Sequence, residues 1–133
     1  MKKYLLVSLL FLAGCQSMTR QSNLVRQAEQ SKIKDTIPIC SSDKECQKKW
    51  DAAQVWVSKN ADYKIQTSSS AIIETYDAPG GSRDLSMKVL KEPLGNDKYQ
   101  MVISVQCANW ILGCEKDTMQ TMQTFNDYIN EIK

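Results

Sequence analysis

Tyr99-Gln100-Met101-Val102-Ile103-Ser104-Val105-Gln106-Cys107 alternates apolar with polar side chains along its length, Val102 excepted. A period of two is the signature of a strand with one face buried. The inward set is Tyr99, Met101, Ile103, Val105 and Cys107. Just upstream, Pro93-Leu94-Gly95-Asn96-Asp97 reads as a turn, because proline presets φ and glycine supplies positive φ. Before it, Leu85-Ser86-Met87-Lys88-Val89-Leu90-Lys91 alternates as far as Val89. Asp77-Ala78-Pro79-Gly80-Gly81-Ser82 is a second turn, preceded by shorter strand-like runs at Ala71 to Tyr76 and Tyr63 to Thr67. Connections this short favour antiparallel hairpins.

Helices flank this region. Ser42-Asp43-Lys44-Glu45 is a capping box, Ser42 at N-cap and Glu45 at N3. Cys46, Trp50, Ala53 and Val57 then recur at helical spacing, which predicts a helix from Asp43 to Ser58 that stops near Asn60. Trp56 lies off the Trp50 face and is expected to flank the core or to be a surface contact. Asp117-Thr118-Met119-Gln120 starts a second helix, whose stripe is Met119, Met122, Phe125, Ile129 and Ile132. Beside Phe125 the two methionines read as core. The expected fold class is α+β: a two-layer sandwich ordered helix, three or four antiparallel strands, helix, with the helices on one face of the sheet.

The chain has 133 residues, 42% of them apolar and 24% charged, which is the composition of one ordinary domain. Seventeen basic residues stand against 15 acidic ones, dispersed along the chain without the electrostatic footprint of a nucleic-acid binder. The absence of histidine excludes His-based acid–base catalysis and His-ligated metal. Ser68-Ser69-Ser70 lacks the Gly-x-Ser-x-Gly setting of an activated serine. Glu74, Asp77 and Asp84 surround one turn with no signature of paired-carboxylate chemistry. No glycine-rich phosphate loop or EF-hand pattern occurs. The expectation is a protein that is not an enzyme and carries no cofactor and no metal.

The start of the chain is an address. Met1-Lys2-Lys3 precedes an apolar run from Tyr4 to Ala13. That run is half of the about 20 residues a membrane span needs, so it reads as a signal h-region. It ends in Leu12-Ala13-Gly14-Cys15. This stretch resembles the precursors of Gram-negative bacterial lipoproteins. The resemblance implies that residues 1–14 are removed and that the Cys15 thiol takes a diacylglyceryl group. Its new amine is then acylated as well, with a fatty chain such as palmitate. Gln16, in place of an aspartate, implies sorting to the outer membrane with the domain facing the periplasm. Removal of Lys2 and Lys3 would leave the remainder charge-balanced. Residues 15–36 read as the lipidated cysteine and a flexible tether, with Asn23 to Lys34 as a short surface helix within it. The domain then spans 37–133.

With Cys15 set aside, Cys40, Cys46, Cys107 and Cys114 form an even set, which in an oxidising compartment reads as two disulfides. Three connectivities are open. The spacing favours Cys40–Cys46 and Cys107–Cys114, and the competing arrangement ties Cys46 to Cys107. Both spacings are wider than those of zinc sites, and no Cys-x-x-Cys is present.

Between the last two cysteines stands Ala108-Asn109-Trp110-Ile111-Leu112-Gly113. The favoured reading is a loop folded over the end of the sheet, plugging the core. The competing one is a rigid hydrophobic finger with Trp110, Ile111 and Leu112 as contacts for a protein partner or lipid. Tyr76 and Arg83 flank the Pro-Gly-Gly turn and read as solvated turn residues. The chain is similar to the small envelope lipoproteins of Gram-negative bacteria, and its element order resembles lipoprotein subunits of outer-membrane assembly machines. The resemblance implies a membrane-anchored module that binds an envelope protein in an assembly, secretion or exclusion system. The alternative is a lipid-tethered inhibitor of a hydrolase such as lysozyme, a class of mainly β-barrel proteins that two helices count against.

Overall fold

A computed structural model describes residues 20–133. Cys15 and the signal-like segment lie outside the described residues. The chain divides into two compact units, Met1–Lys32 and Ile33–Lys133. In the first, the described residues are helical, part of a helix α1 over residues 20–35 that contains no glycine or proline. Its Arg, Gln, Glu, Ala and Lys are straight-chain or small residues that lose little freedom in a helix. The helix is longer at both ends than the stretch expected within the tether.

The second unit is an α+β two-layer structure. Its elements run β1 (Ile39–Cys40), α2 (Asp43–Asn60), β2 (Ile65–Ser68), β3 (Ile72–Thr75), β4 (Ser86–Gly95), β5 (Lys98–Gln106) and α3 (Thr118–Glu131). The sheet order is β1-β5-β4-β3-β2, with every pair antiparallel. The two-residue β1 makes a fifth strand that no alternation in the sequence announces.

Register follows the hydrophobic pattern. Ile73, Val89 and Ile103 pair across three strands as one buried row. The next row, Glu74, Lys88 and Ser104, lies on the opposite, polar face. Against the buried face pack Trp50, Ala53, Trp56 and Val57 of α2 and Phe125 and Ile129 of α3. Each large apolar side chain fully buried here stabilises the fold by about 1.5–3 kcal/mol. Trp56 belongs to the core with Trp50, its ring 5.2 Å from that of Phe125 in an edge-on contact. Helix α2 curls both tryptophans inward because its buried face takes in Cys46, Lys49, Trp50, Ala53, Trp56 and Val57.

The helix starts are built as expected, with one change. Ser42 Oγ accepts from Glu45 N–H at 3.3 Å, and the Glu45 carboxylate accepts from Ser41 N–H, one residue before the cap, at 2.9 Å. Asp117 Oδ1 accepts from the N–H groups of Met119 and Gln120. Lys49 is buried yet satisfied: its ammonium donates to Ile39 O at 2.7 Å and pairs with Glu45 at 2.9 Å.

The turn expected over Pro93 to Asp97 is shorter. β4 continues through Pro93 to Gly95, and Asn96 and Asp97 alone reverse the chain with φ of 51° and 57°. Two residues of positive φ match the right-handed twist of the strands they join. Pro93 is accommodated at an irregularity in the β4–β5 pairing between Pro93 and Gly95.

Both favoured disulfides are present. Cys40–Cys46 joins β1 to α2 with Cα atoms 5.1 Å apart. Cys107–Cys114 closes the loop after β5 with Cα atoms 5.5 Å apart.

Candidate functional site: a disulfide-closed apolar finger

The loop from Cys107 to Cys114 leaves the sheet at the end of the longest alternating strand and returns to the start of α3. Its shape is dictated by Asn109. Asn109 Oδ1 accepts from Ile111 N–H at 3.2 Å and Leu112 N–H at 2.8 Å. Asn109 O accepts from Gly113 N–H at 3.0 Å. Gly113 has φ of 72°, a conformation glycine adopts without the strain a Cβ would bring. One tight turn results, with Trp110, Ile111 and Leu112 at its apex.

A second loop holds the base. Ala108 O accepts from Gly81 N–H and Ala108 N–H donates to Ser82 O, both at 3.0 Å. Asn109 Nδ2 donates to Gly81 O at 2.8 Å. On the returning limb Glu115 N–H donates to Arg83 O at 3.0 Å, and Arg83 Nε donates to Gly113 O at 3.2 Å. Arg83, expected as a solvated turn residue, thus ties both loops together. The Pro-Gly-Gly turn is closed by Ser82 N–H on Pro79 O at 2.9 Å, and Ser82 Oγ meets the Tyr63 hydroxyl at 2.8 Å.

Asp62 anchors this end of the unit. Its carboxylate accepts from Leu85 N–H at 2.8 Å and from the Lys116 ammonium at 2.7 Å. Burial pushes its pKa upward, but the Leu85 N–H and the Lys116 ammonium together outweigh that and hold it below the ordinary aspartate value.

The expected plug is not formed. Trp110 is 91% exposed, Ile111 73% and Leu112 69%. The reason is local. With the base sewn to residues 81–83 and the Ile111 and Leu112 N–H groups turned in on Asn109, the three side chains project outward. Three consecutive large apolar residues at such exposure form a contiguous feature, unlike the isolated apolar residues normal on a surface.

The other residues singled out in the sequence have different surroundings. The Glu74 carboxylate lies 2.6 Å from Lys88 Nζ, and this pairing raises the Lys88 pKa. Glu74 and Asp77 line a small cavity of about 210 Å³ on the polar sheet face with Lys88, Ser104 and Gln106. Asp84 donates its N–H to Ser82 Oγ at 3.1 Å. Ser69 builds the β2–β3 turn: its hydroxyl accepts from Ala71 and Ile72 N–H, and its carbonyl from the Trp50 indole. Tyr76 is exposed. Met122 packs against the core from a half-buried position. Among the described residues no cluster of three or more His, Cys, Asp or Glu is placed to hold a metal ion. No described helix is long and apolar enough to cross a membrane.

Sequence reasoning missed Asn109, Arg83 and Gly113 as the makers of the finger. Asn109 and Gly113 do carry a signal, since Asn starts and Gly ends tight turns. Arg83 carries none, because its role depends on a loop brought close only by the sheet. No family model, curated protein or solved structure matches the chain.

Proposed function

We propose that this chain is a lipid-anchored protein of the bacterial outer membrane, attached through Cys15, whose domain is a non-catalytic module that docks on another envelope protein. The observation that carries the docking is the exposed Trp110-Ile111-Leu112 apex on a base held by a disulfide and by hydrogen bonds to a second loop. Tryptophan is enriched among the few residues that dominate protein interfaces, and a contact ordered before binding loses less freedom on association. The Leu12-Ala13-Gly14-Cys15 motif supports the anchor.

The test is crosslinking in intact cells. The wild-type chain is expected to give a defined protein adduct that disappears in Trp110→Asp at equal abundance. An adduct of unchanged yield in the variant removes the finger from the interface. Cys15→Ser is expected to release the protein from sedimented membranes, and continued co-sedimentation sinks the anchor. A rigid convex loop also suits an enzyme cleft, so stoichiometric inhibition of a lysozyme, lost in Trp110→Asp, would shift the partner class to a hydrolase.

A further inference from the structure

We propose that the Cys107–Cys114 disulfide is a thiol-sensitive latch on the finger, opened by a dithiol reductant while the domain stays folded. It rests on the reading of the finger as the docking element and adds how that element is switched.

The two disulfides differ in setting. Cys40 and Cys46 are 1% and 5% exposed and belong to the core, joining β1 to α2. Cys107 and Cys114 are only half-buried: they pack against the edge of the core at the base of an exposed loop. Thiol–disulfide exchange requires a thiolate to reach a sulfur, so access decides which bridge reacts first. At the loop, one thiolate of the reductant attacks a bridge sulfur and forms a mixed disulfide. The other protein sulfur leaves as a thiolate. The reductant's second thiolate then displaces the first cysteine and closes the reductant's own disulfide. Two electrons pass from the dithiol to the bridge, and Cys107 and Cys114 end as protonated thiols.

What then holds the finger is hydrogen bonding alone: the side-chain bonds of Asn109 and Arg83 at exposed positions around the apex, and the backbone bonds of Ala108 to Gly81 and Ser82 and of Glu115 to Arg83 at the base. Water competes for each of them. The apex loses its fixed shape, and with it the ordering that favours docking. The sheet and helices keep their core, to which Trp110, Ile111 and Leu112 contribute nothing.

The experiment uses the full chain with Cys15→Ser, so that the two disulfides hold all remaining cysteines. Timed exposure to dithiothreitol, alkylation and peptide mapping should show Cys107 and Cys114 labelled at least about tenfold faster than Cys40 and Cys46. NMR signals of Phe125 and Ile129 should stay dispersed in the half-reduced form. Reduction of both bridges together, or of Cys40–Cys46 first, overturns the latch. In cells, the lipid-anchored chain carrying Cys107→Ser and Cys114→Ser should lose the Trp110-dependent adduct. Selective reduction combined with an undiminished adduct in that double variant also overturns it. An adduct indifferent to Trp110→Asp in the otherwise native chain overturns the docking reading instead, and leaves the alkylation order as the measure of the latch.

Discussion

Asn109 is the residue on which the finger's geometry turns. Its side chain makes three hydrogen bonds, two to the apex backbone and one to Gly81. Each is solvent-accessible and contributes modestly, but together they fix the turn. Asn109→Ala is expected to loosen the apex by about 1 kcal/mol, which speeds amide exchange at Ile111 and Leu112 roughly fivefold. Global stability should change far less, because the core does not touch these groups. Hydrogen exchange followed by NMR checks both statements. Trp110 marks the limit of what this stretch says by itself. Trp-Ile-Leu between two cysteines has the composition of a plug as much as of a finger. The choice is made by residues 81–83, which the hairpins bring beside the loop.

At the scale of elements, legibility follows periodicity. β5 was readable because its buried row is long, and α3 because its stripe and its Asp117 cap agree. β1 was not, since two residues hold no alternation; its place comes from pairing with Tyr99 and Gln100 and from the Cys40–Cys46 link. Helix α1 is legible only in part, because a polar, Gln-rich segment has the composition of both a linker and an exposed helix. The mooring of the 33–36 segment on α3 was hidden too. Buried Asn126 donates to Ile33 O at 3.0 Å and Asn130 to Thr36 O at 2.8 Å, and neither asparagine stands out in the sequence. The β4–β5 hairpin offers a direct test of turn chemistry. Asp97 has φ of 57°, and glycine occupies that conformation without the cost of a Cβ. Asp97→Gly is expected to stabilise the fold by about 0.5–1 kcal/mol. The denaturant midpoint should rise with an unchanged slope, and a fall would show that Asp97 contributes more through its side chain than its backbone costs.

At the scale of the whole molecule, acid acts through two carboxyls held low by their partners. Glu45 is held below the ordinary carboxylate range chiefly by the Lys49 hydrogen bond and then by Ser41 N–H. Asp62 is held low although burial opposes it. A carboxyl whose folded pKa is depressed gives stability that is fully present above its unfolded pKa, near 4, and is lost as pH falls through the folded value. Stability should therefore decline below about pH 4.5, where the unfolded state begins to bind protons that the folded state excludes. Asp62→Ala should cost about 1–2 kcal/mol at pH 7, less than a buried charged hydrogen bond because the Lys116 pairing is open to solvent. It should also flatten the acid limb of stability against pH, as read from urea midpoints.

The disulfides close loops of nearly equal length, with sequence separations of 6 and 7. A chain-entropy argument confined to the unfolded state assigns each about 2–3 kcal/mol. That argument holds only where the folded state is the same with and without the bridge. It is so for Cys40–Cys46, whose β1 and α2 are fixed by the core and by Lys49 whether or not the sulfurs are joined. At Cys107–Cys114 the opened loop regains freedom in the folded protein as well, and that regained entropy offsets what the unfolded chain gains. Replacing Cys40 and Cys46 by serine should therefore cost the full amount or more, because two hydroxyls then sit in the core. Replacing Cys107 and Cys114 should cost about 1 kcal/mol or less globally. Urea unfolding of the two double variants, compared at pH 7, decides it. Equal losses would mean that the finger stays ordered without its bridge.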